Sequence, residues 1–251
     1  MAEMKLMTID SSETWKILLS QTEGRDKLYR TLQYACKLVR GVDAGSSSLS
    51  KKSLALEQIL GNARQVLRLA KWVNIWSKRI GQTSFGLKGQ NSIGATLQLL
   101  NDLGNFLYFA FDNYALLCKT ILDGRDANAY QLRGKRFFLL AVIAGFLDSL
   151  WKFRNVRKQL SLLYERERST MLETSSSDKR DSGNTSRELQ TLQKQQQEAI
   201  VGIVRYGFDI VVGISISRKE QLSPTLTGFC GVISSLVAWY QVWPRKPVTT
   251  V

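Results

Sequence analysis

The sequence predicts an all-α, membrane-associated protein, and three observations support that prediction. Proline does not occur before Pro224, so no proline interrupts a helix over most of the chain. Apolar residues recur at helical spacing, and no segment alternates apolar and polar residues as a strand would. The most apolar segments lie within residues 198–251, where we expect one or two membrane-inserted helices.

Composition narrows the functions open to the chain. The 251 residues carry a net charge of +14, which indicates an anionic partner: phospholipid, nucleic acid or an acidic protein. Histidine is absent, which excludes Ser-His-Asp and Cys-His catalysis and His-ligated zinc. Cys36, Cys118 and Cys230 lie far apart, without the spacing of metal ligands. We therefore expect no enzyme activity, no metal and no cofactor.

Two helices are predicted at the start of a helical region that extends over residues 1–165. Asp10 with Glu13 is typical of a helix start, and that helix should end near Ser20. A second helix follows, and a Gly/Ser-rich loop at residues 41–50 should end it. The apolar stripe of this second helix consists of Leu28, Leu32, Ala35, Cys36 and Val39.

Residues 53–80 are predicted to form one basic amphipathic helix. Its apolar face consists of Val66, Leu69, Val73, Trp76 and Ile80. Its cations, on the opposite side, are Arg64, Arg68, Lys71, Lys78 and Arg79. No acid occurs between Glu57 and Asp102, so we expect the basic face to be unneutralised. Such a helix suits the headgroup boundary of an anionic bilayer, which makes these ten residues candidate membrane-binding residues. The alternative is a helix that covers a soluble core.

The middle of the chain is predicted to contain two further apolar helices after a glycine-rich connector at residues 81–94. Residues 93–122 are strongly apolar apart from a narrow polar stripe, and we expect this helix to pack on its neighbours at the membrane. Residues 137–147 carry no charge, but eleven residues fall short of the ~20 that span a bilayer. This segment is predicted to dip into one leaflet or to form a soluble core helix.

A Ser/Gln-rich segment at residues 166–197 is predicted to be a disordered linker, because it is poor in apolar side chains. It separates the helical region from a C-terminal membrane-anchor region at residues 198–251. Within that region Arg205 and Asp209 stand four residues apart, so they can pair inside one helix and form an intramembrane charge pair. The candidate anchor residues are Phe229, Val232, Ile233, Leu236, Trp239, Tyr240 and Trp243.

Four segments, taken together, resemble the peroxisomal biogenesis factor 11 family. Residues 22–34 (TEGRDKLYRTLQY) resemble its N-terminal signature, and residues 228–236 (GFCGVISSL) resemble its closing motif. Residues 107–113 (LYFAFDN) and the basic helix occur between them in the same order. The resemblance extends over most of the chain.

The resemblance implies a peroxisomal membrane protein, multi-pass or deeply inserted, with both termini in the cytosol. It implies that residues 1–165 form a membrane-remodelling region, whose amphipathic helix inserts into the membrane. Insertion would elongate and remodel the peroxisome and promote its fission and proliferation. The implied partners are an anionic phospholipid membrane, further copies of the chain and dynamin-type fission machinery.

Two other functions remain open. A membrane channel for small metabolites would use Arg205 and Asp209 to line a polar path. A soluble helical nucleic-acid-binding protein is supported by net charge alone. The uncharged segment at residues 221–244 argues against it, so we expect no nucleic acid as a partner.

Overall fold

The computed structural model describes residues 11–43, 47–83, 92–122, 125–173, 179–218 and 222–243, and every regular element in these ranges is helical. The all-α prediction is therefore confirmed. The helices are α1 (Ser11–Ser20), α2 (Thr22–Val42), α3 (Ser48–Leu67), α4 (Lys71–Thr83), α5 (Ser92–Thr120), α6 (Ala127–Glu173), α7 (Lys179–Ser217) and α8 (Pro224–Val242).

Polar side chains and proline set several of the helix starts. The Ser47 hydroxyl accepts a hydrogen bond from the backbone N–H of Ser50 at 3.2 Å and caps α3. The Asp126 carboxylate accepts from the backbone N–H groups of Asn128 and Ala129, at 3.0 and 3.1 Å, and caps α6. Pro224 occupies the first turn of α8, where its missing N–H costs nothing.

Six helices form a closed ring in which neighbours run antiparallel. Around the ring the order is α2, α8, α7, α6, α5 and α3, and α4 lies against α5. The direction of α8 follows from its contacts with α2, where Gly41 lies beside Thr225 and Tyr34 lies beside Gly231. α1 packs against α2. The ring places residues from distant parts of the sequence around one common interior.

The expected disordered linker differs from the structure. α6 continues to Glu173 and α7 begins at Lys179, so most of residues 166–197 are helical, and residues 174–178 lie outside the described part. The reason is an apolar contact between the two helices. It comprises Val156, Leu160 and Leu163 of α6 and Leu189 and Leu192 of α7. Two leucines three residues apart give α7 an apolar edge that its Ser/Gln-rich composition concealed.

Other expectations at the start and middle of the chain either agree with the structure or concern residues outside its described part. α1 ends at Ser20, as predicted, whereas Asp10 and the side chain of Glu13 lie outside the described residues. α5 matches the apolar segment at residues 93–122. Most of the glycine-rich connector, residues 84–91, lies outside the described part.

Candidate membrane-contact surface and charged interior

The predicted apolar face of residues 53–80 lies on the outside of the ring. Val66, Leu69, Val73 and Trp76 are 54%, 49%, 43% and 54% exposed. Behind them the Trp76 ring lies 5.6 Å from the ring of Phe106 on α5, measured between centroids. These four exposed side chains form an apolar surface, the α3–α4 stripe, which can contact the acyl chains of a lipid bilayer.

The prediction of one uninterrupted helix over residues 53–80 is wrong, because the chain breaks between α3 and α4. Ala70 has a φ of 57°, in the left-handed region that an alanine seldom adopts. The backbone N–H of Leu69 donates to the Val66 carbonyl at 3.0 Å, and that of Lys71 donates to the Arg68 carbonyl at 3.2 Å. These two hydrogen bonds end α3 and direct the chain into α4. Both helices keep their apolar sides outward.

The expectation of an unneutralised basic face is also wrong. Acids from α2 and α5 pair with these cations, and each acid is distant in sequence. The pairs are Arg64 with Asp26 at 3.0 Å, Arg68 with Asp112 at 3.2 Å, Lys71 with Glu23 at 3.8 Å, and Arg79 with Asp102 at 2.7 Å. The side chains of Lys78 and Ile80 lie outside the described residues. Most of the predicted basic face thus ties α3 and α4 to the bundle.

Burial and neighbouring charges shift the pKa values of groups on the inner side of α2. Although burial alone would raise it, Arg64 and Arg68 hold the pKa of the Asp26 carboxyl well below its usual range. Burial and the charge of Arg205 lower the pKa of Lys27 to about 7. Burial is the larger cause, and the opposing attraction of Asp26 does not offset it.

The predicted contact between Arg205 and Asp209 is present within α7, with 3.7 Å between Nε and Oδ2. The closer partner of Asp209 is Arg30 on α2, which the sequence reasoning missed. The same guanidinium donates to the Ser234 hydroxyl of α8 at 3.0 Å, so one arginine joins three helices. Arg205 also donates to the Gln241 amide oxygen at 2.6 Å. Partners 179 and 204 residues away from Arg30 leave no local signal in the sequence.

α8 packs small residues against α2 and turns large apolar residues outward. A Cβ at Gly228 would lie 2.5 Å from the Leu38 backbone nitrogen, so the two backbones are in close contact. Phe229, Leu236 and Tyr240 are about half exposed. The other candidate anchor residues are half-buried, and these are Val232, Ile233, Trp239 and Trp243.

The aromatic end of α8 includes a partner that sequence reasoning missed. The Trp15 ring of α1 lies 5.1 Å from the Trp239 ring and 5.7 Å from the Trp243 ring, edge to face. Clustered tryptophans of this kind are typical of a membrane–water boundary. α1 and the C-terminal end of α8 therefore share one end of the bundle.

Two polar cavities lie inside the ring, with volumes of about 260 and 540 Å³. The two cavities share one wall, and two of the residues in that wall are charged. That wall consists of Tyr34, Arg64, Arg68, Tyr108 and Ile216. Six cations and four acids line the smaller cavity, and six cations and two acids line the larger.

The distribution of polarity differs from that in a soluble helical bundle. Large apolar side chains cover the outside, whereas many of the fully buried side chains are charged or hydroxylated. Among the described residues, two helices are long and apolar enough to cross a bilayer, over Thr185–Ser217 and Pro224–Val242. An all-helical ring with these features is typical of a helical membrane protein.

Comparison with known proteins identifies the family. Residues 13–243 match the family model described as peroxisomal biogenesis factor 11, and the chain belongs to this family. It is 26% identical to peroxisomal membrane protein 11-1 of Oryza sativa subsp. japonica, over 92% of this chain and 90% of that protein. The peroxisomal membrane protein 11 homolog of Dictyostelium discoideum is 26% identical over 91% of this chain and 92% of its own.

A human relative extends the comparison. Peroxisomal membrane protein 11C of Homo sapiens is 22% identical over 89% of this chain and 90% of its own length. No solved structure matches the chain. Family membership supports a role in peroxisome biogenesis at the peroxisomal membrane.

Proposed function

We propose that this protein elongates and remodels the peroxisomal membrane and so promotes peroxisome fission and proliferation. The observation that carries the proposal is the α3–α4 stripe, where Val66, Leu69, Val73 and Trp76 form an outward apolar surface. Shallow insertion of this stripe expands one leaflet relative to the other and favours positive curvature. Many copies acting together draw a tubule from a rounder organelle.

The ion pairs behind the α3–α4 stripe support an inserted surface that stays attached to the rest of the bundle. Because Arg64 and Arg68 pair with Asp26 and Asp112, insertion of the stripe carries the ring with it. Attraction to anionic phospholipid then comes from other cations, such as the exposed Lys51 and Lys52 at the start of α3. The apolar surface supplies most of the binding energy.

We expect Val73→Glu combined with Trp76→Glu to abolish tubulation of anionic vesicles by the purified full-length protein. Each substitution removes the burial of a large apolar side chain, which is worth roughly 1.5–3 kcal/mol when complete, and places a carboxylate against anionic lipid. The measurement is the fraction of tubule-bearing vesicles in electron micrographs.

The matched control is Asn74→Glu combined with Ser77→Glu, which adds the same two charges on the same helix at exposed polar positions. It should leave tubulation close to that of the parent protein. Circular dichroism checks that all variants fold. Tubulation that survives in the double variant would refute insertion of the α3–α4 stripe as the mechanism.

Topology and partners form part of the same proposal. α7 and α8 run antiparallel, since Ser215 contacts Thr227 and Arg205 contacts Gln241, so two crossings return the chain to its starting side. This arrangement supports both termini on the same side of the membrane, and by family resemblance we expect that side to be the cytosol. The apolar groove between α7 and α8, which includes Val204 and Leu236, is a suitable contact for further copies of the chain. By family resemblance we expect dynamin-type fission machinery as a partner.

A channel for small metabolites is the second candidate function. The two adjoining polar cavities favour it, because Arg205 and Asp209 line the smaller one. We expect the full-length protein to conduct ions across a planar bilayer and Arg205→Gln to lower the anion conductance several-fold. Arg157→Gln, an exposed cation on α6, is the control. Equal conductance in both variants, or none in the parent protein, would exclude a path past Arg205.

A further inference from the structure

The larger cavity lies between α2, α3, α5 and α6 and has an excess of positive charge. Its cations are Lys37, Arg40, Arg64, Arg68, Lys119 and Lys135. Only two acids line it, Glu57 and Asp112. A cavity of about 540 Å³ is large enough for a small organic anion.

Ion pairs within the protein account for four of the six cations. Glu57 pairs with Lys37 at 3.5 Å and with Arg40 at 3.1 Å. Asp112 pairs with Arg68, and Asp26, on the far side of the wall, pairs with Arg64. These carboxylates are therefore already engaged by other cations.

The remaining two cations, Lys119 and Lys135, form no ion pair with an acid in the described part of the chain. They line the cavity from α5 and α6, where Lys119 is exposed and Lys135 is half-buried. Burial lowers the pKa of Lys135, and the charges of Lys37 and Lys119 lower it further, against the opposing attraction of Asp112. Keeping Lys135 charged and half-buried beside other cations is costly, and a bound anion would relieve that cost.

We propose that this cavity binds a phosphate-bearing anion, with Lys119 and Lys135 as its principal ligands. A phosphate dianion would neutralise both ammonium groups and accept charge-assisted hydrogen bonds from each. The side-chain amides of Gln58, Asn62 and Gln131 also line the cavity and can donate to ester or hydroxyl oxygens. The proposed anion site requires neither membrane remodelling nor conduction, because it is formed only by the side chains that line this cavity.

The test is calorimetric titration of the purified full-length protein with pyrophosphate, in nanodiscs of phosphatidylcholine at constant ionic strength. The parent protein should bind, and Lys135→Gln should weaken binding about tenfold, since one charge-assisted contact is lost. Lys119→Gln should have a similar effect. The matched control is Lys158→Gln, an exposed cation further along the same helix, which should bind as the parent does.

A second set of nanodiscs, with phosphatidic acid added, distinguishes a lipid headgroup from a soluble ligand. Weaker pyrophosphate binding there indicates that a lipid phosphate occupies the cavity, and unchanged binding indicates a soluble phosphate. Equal affinity of Lys135→Gln and Lys158→Gln, or no binding by the folded parent protein, would overturn the proposal. Vesicle tubulation by Lys135→Gln should equal that of the parent, so the two proposals can fail separately.

Discussion

Asp209→Asn is expected to lower the free energy of unfolding by about 3–5 kcal/mol, because it leaves Arg30 as a buried cation without its carboxylate. The side chains of Arg30 and Asp209 are 7% and 2% exposed, so bulk solvent screens the unpaired charge only weakly. The Ser234 hydroxyl remains beside the guanidinium but carries no charge. The measurement is denaturant unfolding in detergent micelles, followed by circular dichroism.

Two comparisons isolate the ion pair in this experiment. The double variant Arg30→Met with Asp209→Asn removes both charges and should recover most of the lost stability. Asp102→Asn breaks a partly exposed pair with Arg79 and should cost at most about 1 kcal/mol. If the double variant is no more stable than Asp209→Asn, Arg30 and Asp209 do not act as a pair.

Features that depend on neighbouring residues could be predicted from the sequence. The α1 end at Ser20 and the extent of α5 follow from helical periodicity and helix-end residues. The outward position of Val73 and Trp76 also follows, because a periodic apolar stripe must face an apolar phase or a core. The spacing of Arg205 and Asp209 predicted their contact for the same local reason.

Features that depend on tertiary contacts could not be predicted. The acids that neutralise Arg64 and Arg68 stand on α2 and α5, and no spacing rule connects them. The break at Ala70 has no glycine or proline to mark it, and its φ of 57° is one that local sequence does not favour for alanine. A charged helix face alone predicts a lipid-binding surface, because the sequence does not show which side of a helix contacts protein.

Gly228→Val is expected to separate α8 from α2 and to lower the free energy of unfolding by about 1–3 kcal/mol or more. A Cβ at this position would lie 2.5 Å from the backbone nitrogen of Leu38 and 2.6 Å from its Cα. Backbone atoms of a helix cannot turn aside as a side chain can, so α8 itself must move. That movement also draws Ser234 away from Arg30 and weakens the contact that joins α2, α7 and α8.

The matched control is Gly207→Ala in α7, where the nearest atom to a new Cβ is on the Phe146 side chain at 3.7 Å. This substitution fits the available space and should leave stability unchanged or raise it by up to about 1 kcal/mol, because alanine favours a helix. Both variants are compared by the same denaturant unfolding. If Gly228→Val is as stable as Gly207→Ala, α8 lies in lipid apart from α2, and the ring that encloses the charged interior is open in the membrane.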